Sequence, residues 1–317
     1  MNSKEKSSSD ILQWQGERLI PKRVTIETIF GCNAKCVMCV IDHPTDRKKR
    51  IMQPALFYRI VDNLTEYKDH IEMFDLFGLG EPLLDPYIFE RIGYVKGKGF
   101  RRLAISTNAD LLDADKQMAL LDTGIETVLF SIDGISKATH ESIRHGVSYE
   151  RVVDNIQSII RMRDDGGFPT RFIVRFIKQP INMHELESWK MFWASKISKS
   201  KGDLIAVYNM HSWGGEVASK DQILGELSLN IETEKRPCHH IFYNMIILSD
   251  GSMPLCSEDF LKAQYGFGNI SNNDIMEIYN SEKFNRIREV HISGNKVSIN
   301  PCKECTVLYS EASRVYV

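Results

Sequence analysis

Between residues 22 and 212 short apolar runs alternate with amphipathic stretches, and this alternation constrains the fold most. The runs cover 24–30, 73–77, 103–106, 127–131, 172–177 and 204–208. The stretches 54–66, 87–96, 114–121, 149–163 and 184–195 carry apolar residues at helical spacing, as Leu56, Ile60, Val61 and Leu64 do. Six such βα units predict a parallel sheet. Right-handed crossovers then leave a doubly wound sheet or a partly closed barrel, with the chemistry at the carboxyl ends of the strands in both.

After residue 212 the alternation stops. Trp213, Gly214 and Gly215 lead into a polar connector through Lys235, and 244–248 with 253–256 around Asp250-Gly251 read as a hairpin. The expected organisation is an N-terminal extension at 1–21 with a frayed start, a βα domain at 22–212, a connector at 213–235 and a small domain at 236–317. Lys and Arg total 40 against 42 Asp and Glu, which provides no chain-wide field to gather nucleic acid or an anionic membrane. No apolar stretch is long enough for a signal core or a membrane span, so the expected location is the cytoplasm.

The 317 residues include seven cysteines in two groups: Cys32, Cys36 and Cys39, then Cys238, Cys256, Cys302 and Cys305. In a reducing compartment such clustering argues for metal ligation over disulfides. The first group follows the first strand directly. Three thiolates on one loop can hold three corners of a cubic 4Fe-4S cluster and leave the fourth iron open. Zinc is the alternative, although a structural zinc takes four protein ligands and a catalytic one favours imidazole. The rear four can ligate a cluster completely or form a zinc ribbon. A non-catalytic zinc or electron-transfer protein is therefore the competing class.

With Cys32-x3-Cys36-x2-Cys39, then Gly80-Glu81-Pro82 after the second strand, Thr107-Asn108 after the third and Ser131-Ile132-Asp133-Gly134 after the fourth, the chain resembles the radical S-adenosylmethionine (SAM) superfamily. The resemblance implies a partial (β/α)6 TIM-like barrel. It implies a SAM-binding 4Fe-4S cluster on Cys32, Cys36 and Cys39, and reductive cleavage of SAM to a 5′-deoxyadenosyl radical by an electron from flavodoxin or ferredoxin. It places Met38, where relatives carry an aromatic residue, over the adenine. Gly80, Glu81 and Pro82 fall at the methionine ammonium, and Asn108, Ser131, Asp133 and Arg144 at the rest of the cofactor, Asp133 being equally suited to cap the next helix. Asp250-Gly251, Cys256, Gly268-Asn269-Ile270 and Cys302-x2-Cys305 resemble the shortened SPASM module called twitch, with spacing close to that of 2-deoxy-scyllo-inosamine dehydrogenase. This implies one auxiliary 4Fe-4S cluster on Cys238, Cys256, Cys302 and Cys305.

If all seven cysteines are ligands, none remains to return a hydrogen atom to a substrate radical. That count favours dehydrogenation over epimerisation. About twenty residues precede the first strand, which favours a small polyol, sugar or aminocyclitol over a peptide. Arg175, His211 and Trp213 are the candidate substrate residues, with His211 able to act as a base near neutral pH. A peptide-modifying or epimerising radical enzyme is the alternative. The charge run 46–50 reads as a solvated face or a docking patch for an acidic donor. His239 and His240 read as neighbours of the rear cluster and not as ligands.

Overall fold

The computed structural model describes residues 11–218, 223 and 235–308, and the backbone of 314–316. The start MNSKEKSSSD and most of the connector lie outside the described residues. All six expected strands form: β1 (Arg23–Ile26), β2 (Met73–Asp75), β3 (Leu103–Thr107), β4 (Thr127–Ser131), β5 (Arg171–Lys178) and β6 (Leu204–Asn209). With β7 (Asn244–Ile247) and β8 (Arg314–Tyr316) they make one sheet in the order β7-β1-β2-β3-β4-β5-β6-β8. Seven strands are parallel, and only β8 runs antiparallel, against β6.

The first apolar run splits at the buried Glu27, and Ile29–Phe30 pairs instead with Arg50–Ile51. The larger difference is β7. Its Met245-Ile246-Ile247 run is apolar on both faces, as a covered parallel strand requires, and it pairs in register with β1, Arg23 opposite Asn244. The Asp250-Gly251 turn is present, with Gly251 at φ 86°. The returning chain, however, meets Asn269 through Ser252 and does not fold back on β7. Residues 244–247 thus complete the main sheet instead of forming a hairpin.

Helices cover the outside. Pro54 takes the first turn of α1 (Pro54–Leu64), which buries Phe57, Ile60, Val61 and Leu64. The next helices are α2 (Ile88–Gly97), α3 (Ala114–Asp122), α4 (Lys137–Ile143), α5 (Tyr149–Asp165) and α6 (Leu186–Ala194). The side chains of Asp113, Ser136 and Ser148 cap α3, α4 and α5 by accepting a backbone N–H three residues on. Two further helices, α7 (Ile275–Tyr279) and α8 (Glu282–Ile292), follow β7. Alternation along β5 buries Phe172, Val174 and Phe176 on the helix side and turns Arg175 and Ile177 inward. A second apolar cluster of Phe30, Val40, Ile41, Leu79, Ile246, Leu248, Phe260 and Leu261 joins the first loop to the C-terminal part. Among the described residues no helix is long and apolar enough to cross a membrane.

Candidate active site

A cavity of about 310 Å³ opens at the carboxyl ends of the strands. Cys32, Cys36 and Cys39 line one side and Gly80, Glu81, Asn108, Ser131 and Arg175 another, while His211, Trp213 and Glu258 close it from the C-terminal half. The thiols hang on a loop pinned at two places. Gly31 bridges Gly80 in parallel, and Lys35-Cys36 pairs antiparallel with Arg144-His145. A Cβ on Gly80 would stand 2.3 Å from the Ile29 carbonyl oxygen, so the backbones can meet here only through glycine.

Glu81 is 2 % exposed, and its carboxylate accepts from Thr107 Oγ1 at 2.7 Å, Asn108 N at 2.8 Å and Leu83 N at 3.1 Å. It holds the loops after β2 and β3 together while lining the cavity. Burial nevertheless pushes its pKa up to about 7, against those three donors. Arg144 donates to Asp133 Oδ2 from Nε and Nη2, at 2.7 Å each, and reaches Cys36 Sγ at 3.5 Å through Nη1. Burial is the largest single influence and opposes its charge, but Asp133, Cys36 and Cys39 together push the pKa higher. Arg175 donates to Ser131 and, at 3.0 Å, to Ser106, and its Nε has no protein partner.

Met38, Gly80, Glu81, Asn108, Ser131, Arg144, Arg175, His211 and Trp213 all line the cavity. Pro82 and Asp133 are not among its lining. Pro82 starts the 3-10 turn Pro82–Leu84, and Asp133 is fully buried with Arg144 on one oxygen and Ile177 N, at 2.6 Å, on the other. Ser136, not Asp133, caps α4. In the charge run Arg47 is an exception to solvation: it is 9 % exposed in its side chain, paired with Glu27 and bonded to the Phe260 carbonyl at 2.7 Å.

The segment after β6 carries the other side. Trp213, at φ 52°, donates its indole N–H to the Met38 carbonyl at 2.8 Å and lies 4.6 Å from the His211 ring. His211 Nδ1 stands 2.8 Å from Glu258 Oε1, and Glu258 Oε2 accepts from Gly214 N at 3.1 Å. Sequence reasoning missed Glu258; its one signal is a carboxylate two residues after a cysteine ligand candidate. Glu258, Ser257 and Val307 also line a second cavity, which contains Cys238, Cys256, Cys302 and Cys305 together with His240, His291 and Lys296. One wall therefore separates the three-thiol site from the four-thiol site.

Burial pushes the Cys32 and Cys302 thiols up to about 12 and Cys39 to about 11. Ligation needs thiolates, so loading these sites releases protons. Among the described residues no three Cys, His, Asp or Glu side chains converge closely enough for a single metal ion. Three and four thiols, each set lining one cavity, are the donor type that iron-sulfur clusters take.

Comparison with known proteins agrees with this geometry. Residues 26–177 match the family profile of the radical SAM superfamily, and 238–306 match that of an iron-sulfur cluster-binding domain, SPASM. A tungsten-containing aldehyde ferredoxin oxidoreductase cofactor-modifying protein of Pyrococcus furiosus is 31% identical over 150 residues, 46% of this chain and 40% of that protein. A probable GTP 3′,8-cyclase of Methanothermobacter thermautotrophicus is 26% identical over 181 residues, 56% of this chain and 54% of that one. The chain thus spans about half the length of these curated relatives. In fold it is similar to BtrN in complex with AdoMet and 2-DOIA, with TM-score 0.60 and 16% identity over 91% of this chain and 94% of BtrN. It is similar also to Streptococcus suis SuiB bound to its precursor peptide SuiA, with TM-score 0.64 and 16% identity over 96% of this chain and 73% of SuiB.

Proposed function

The chain belongs to the radical SAM superfamily and carries a C-terminal SPASM domain, and from that premise we propose that it dehydrogenates an alcohol of a small polyhydroxylated substrate. We place the domains at 22–212 and 236–317, joined by 213–235, with 244–247 of the second lending a strand to the sheet of the first. Cys32, Cys36 and Cys39 would hold the SAM-binding cluster, and Cys238, Cys256, Cys302 and Cys305 would hold one auxiliary cluster. The single observation that carries the reading is the shared wall: Glu258 borders both cavities and touches His211.

Oxidation of an alcohol to a carbonyl removes a hydrogen atom, a proton and an electron. When bound, SAM and the two clusters supply the hydrogen-abstracting 5′-deoxyadenosyl radical and an electron acceptor. The chain supplies the rest. His211 takes the hydroxyl proton at Nε2, with the Glu258 carboxylate 2.8 Å from Nδ1 placed to favour the imidazolium that forms. Ser106, Ser131, Asn108 and Arg175 offer polar partners to hydroxyl or amino groups. Arg144, held by Asp133, sets a positive charge beside Cys36. With all seven cysteines in the two cavities, no thiol remains to give a hydrogen atom back.

Anaerobic preparation should give about eight irons per chain. With reductant and SAM the protein should release 5′-deoxyadenosine, and with a panel of polyols, sugars and aminocyclitols it should form a carbonyl product that a hydrazine traps. Alanine at Cys32, Cys36 and Cys39 should abolish release, whereas alanine at Cys302 and Cys305 should leave release but stop product. A cross-linked or epimerised peptide product, with no small-molecule turnover, would overturn the reading.

A further inference from the structure

His291 lies on α8, fully buried, among the lining of the four-thiol cavity. Its two ring nitrogens face two different cysteines. The backbone N–H of Cys238 lies 3.2 Å from Nδ1, and Cys302 Sγ lies 3.3 Å from Nε2. A backbone N–H can only donate, so Nδ1 is the acceptor and carries no proton. The ring proton therefore sits on Nε2 and points at Cys302 Sγ. We propose that His291 is a positioning residue whose Nε2–H donates to the Cys302 thiolate and raises the reduction potential of the auxiliary cluster, which makes that cluster an electron acceptor.

The physics is directional. Reduction adds negative charge to the iron-sulfur core and its thiolates, and a donor fixed on one of those sulfurs stabilises the reduced form more than the oxidised form. Two buried charges also border the cavity and act in opposite senses. Lys296 favours the thiolates of Cys238 and Cys302, and Glu258 disfavours them. The inference rests on the proposed ligation by Cys238, Cys256, Cys302 and Cys305, and it extends the electron-acceptor reading by naming the group that sets the potential.

Two substitutions separate the bond from mere packing. His291→Asn keeps an acceptor where Nδ1 stands but is too short to reach Cys302. His291→Gln places its amide N–H where Nε2 stands. Redox titration followed by electron paramagnetic resonance is carried out on the holoenzyme, and on the full chain with Cys32, Cys36 and Cys39 replaced by alanine so that only the rear cluster reports. We expect H291N to lower the equilibrium constant for reduction about tenfold, a shift of about 59 mV to more negative potential for one electron, and H291Q to stay close to wild type. Equal potentials in all three, with iron and sulfide content intact, would overturn the role of His291 while leaving the ligation standing. Failure of any rear cluster to form in the front-loop variant would overturn both.

Discussion

Burial of Glu81 sets a cost that the chain does not fully offset. Three donors hold its carboxylate, yet desolvation prevails and pushes the pKa from an ordinary 4.5 up to about 7. Between those values the folded protein keeps a proton that the unfolded chain has released, so stability falls as pH rises, by about 1.4 kcal/mol per pH unit and about 3 kcal/mol in all. Glu81→Gln cannot ionise. Urea unfolding of the metal-free protein at several pH values should therefore show wild type losing about 3 kcal/mol relative to E81Q between pH 4.5 and 7, and a parallel pair of curves would refute it. Gly80-Glu81 was legible in the sequence as part of a motif, but its three hydrogen bonds were not, because Thr107 and Asn108 arrive from another strand. Asp133 shows the opposite case. Its place in the motif suggested a cofactor contact or a helix cap, but one residue cannot reveal that Arg144, eleven positions on, takes its carboxylate.

Elements are tied at their ends by a few buried polar groups. Arg163 near the end of α5 reaches Asp203, just before β6, in a bidentate pair at 2.8 and 2.6 Å with both side chains fully buried. Asp203 also accepts from Phe172 N and Ser198 N, each at 2.8 Å, so one carboxylate registers β5, β6 and the loop before it. Replacing it leaves the buried guanidinium with the half-exposed Asp164, 2.6 Å from Nε, as its remaining counter-charge. Asp203→Ala should lower the unfolding free energy by about 3–5 kcal/mol, read from the urea midpoint at constant slope, and a loss below 1 kcal/mol would show that the pair is dispensable. The six βα strands were readable because apolar runs and helical periodicity are local properties. The fate of 244–247 was not, since the turn at Asp250-Gly251 looks the same whether the preceding strand pairs with its successor or with β1, over two hundred residues away. Parallel pairing has no local signature; only the unbroken apolar run of Met245, Ile246 and Ile247 hinted that both faces would be covered.

At the scale of the molecule, the C-terminal part is built into the barrel and not merely attached to it. β7 extends the sheet beside β1, Ser212 bonds to Thr306 and Glu304, and Phe260 and Leu261 pack with Val40 and Ile41 behind Cys39. Trp213 is one polar fastening of this contact, its N–H on the Met38 carbonyl within the three-cysteine loop, beside Arg47 on the Phe260 carbonyl and Thr45 on the Leu261 carbonyl. The module that holds the rear thiols thus also covers the front loop and limits access to it. Trp213→Phe keeps most of the ring but leaves a largely buried carbonyl unpaired, at about 1–3 kcal/mol, and Trp213→Ala removes the ring as well. Bleaching of the front cluster by oxygen or a chelator, followed by its absorbance in protein with Cys302 and Cys305 replaced by alanine, should accelerate several-fold in W213A and less in W213F. Equal bleaching rates in all three would mean that Trp213 does not guard the front loop, and that the loop's pairing with Arg144-His145 and Gly80 and the contacts of Val40, Ile41 and Arg47 with Phe260 and Leu261 hold it without the indole.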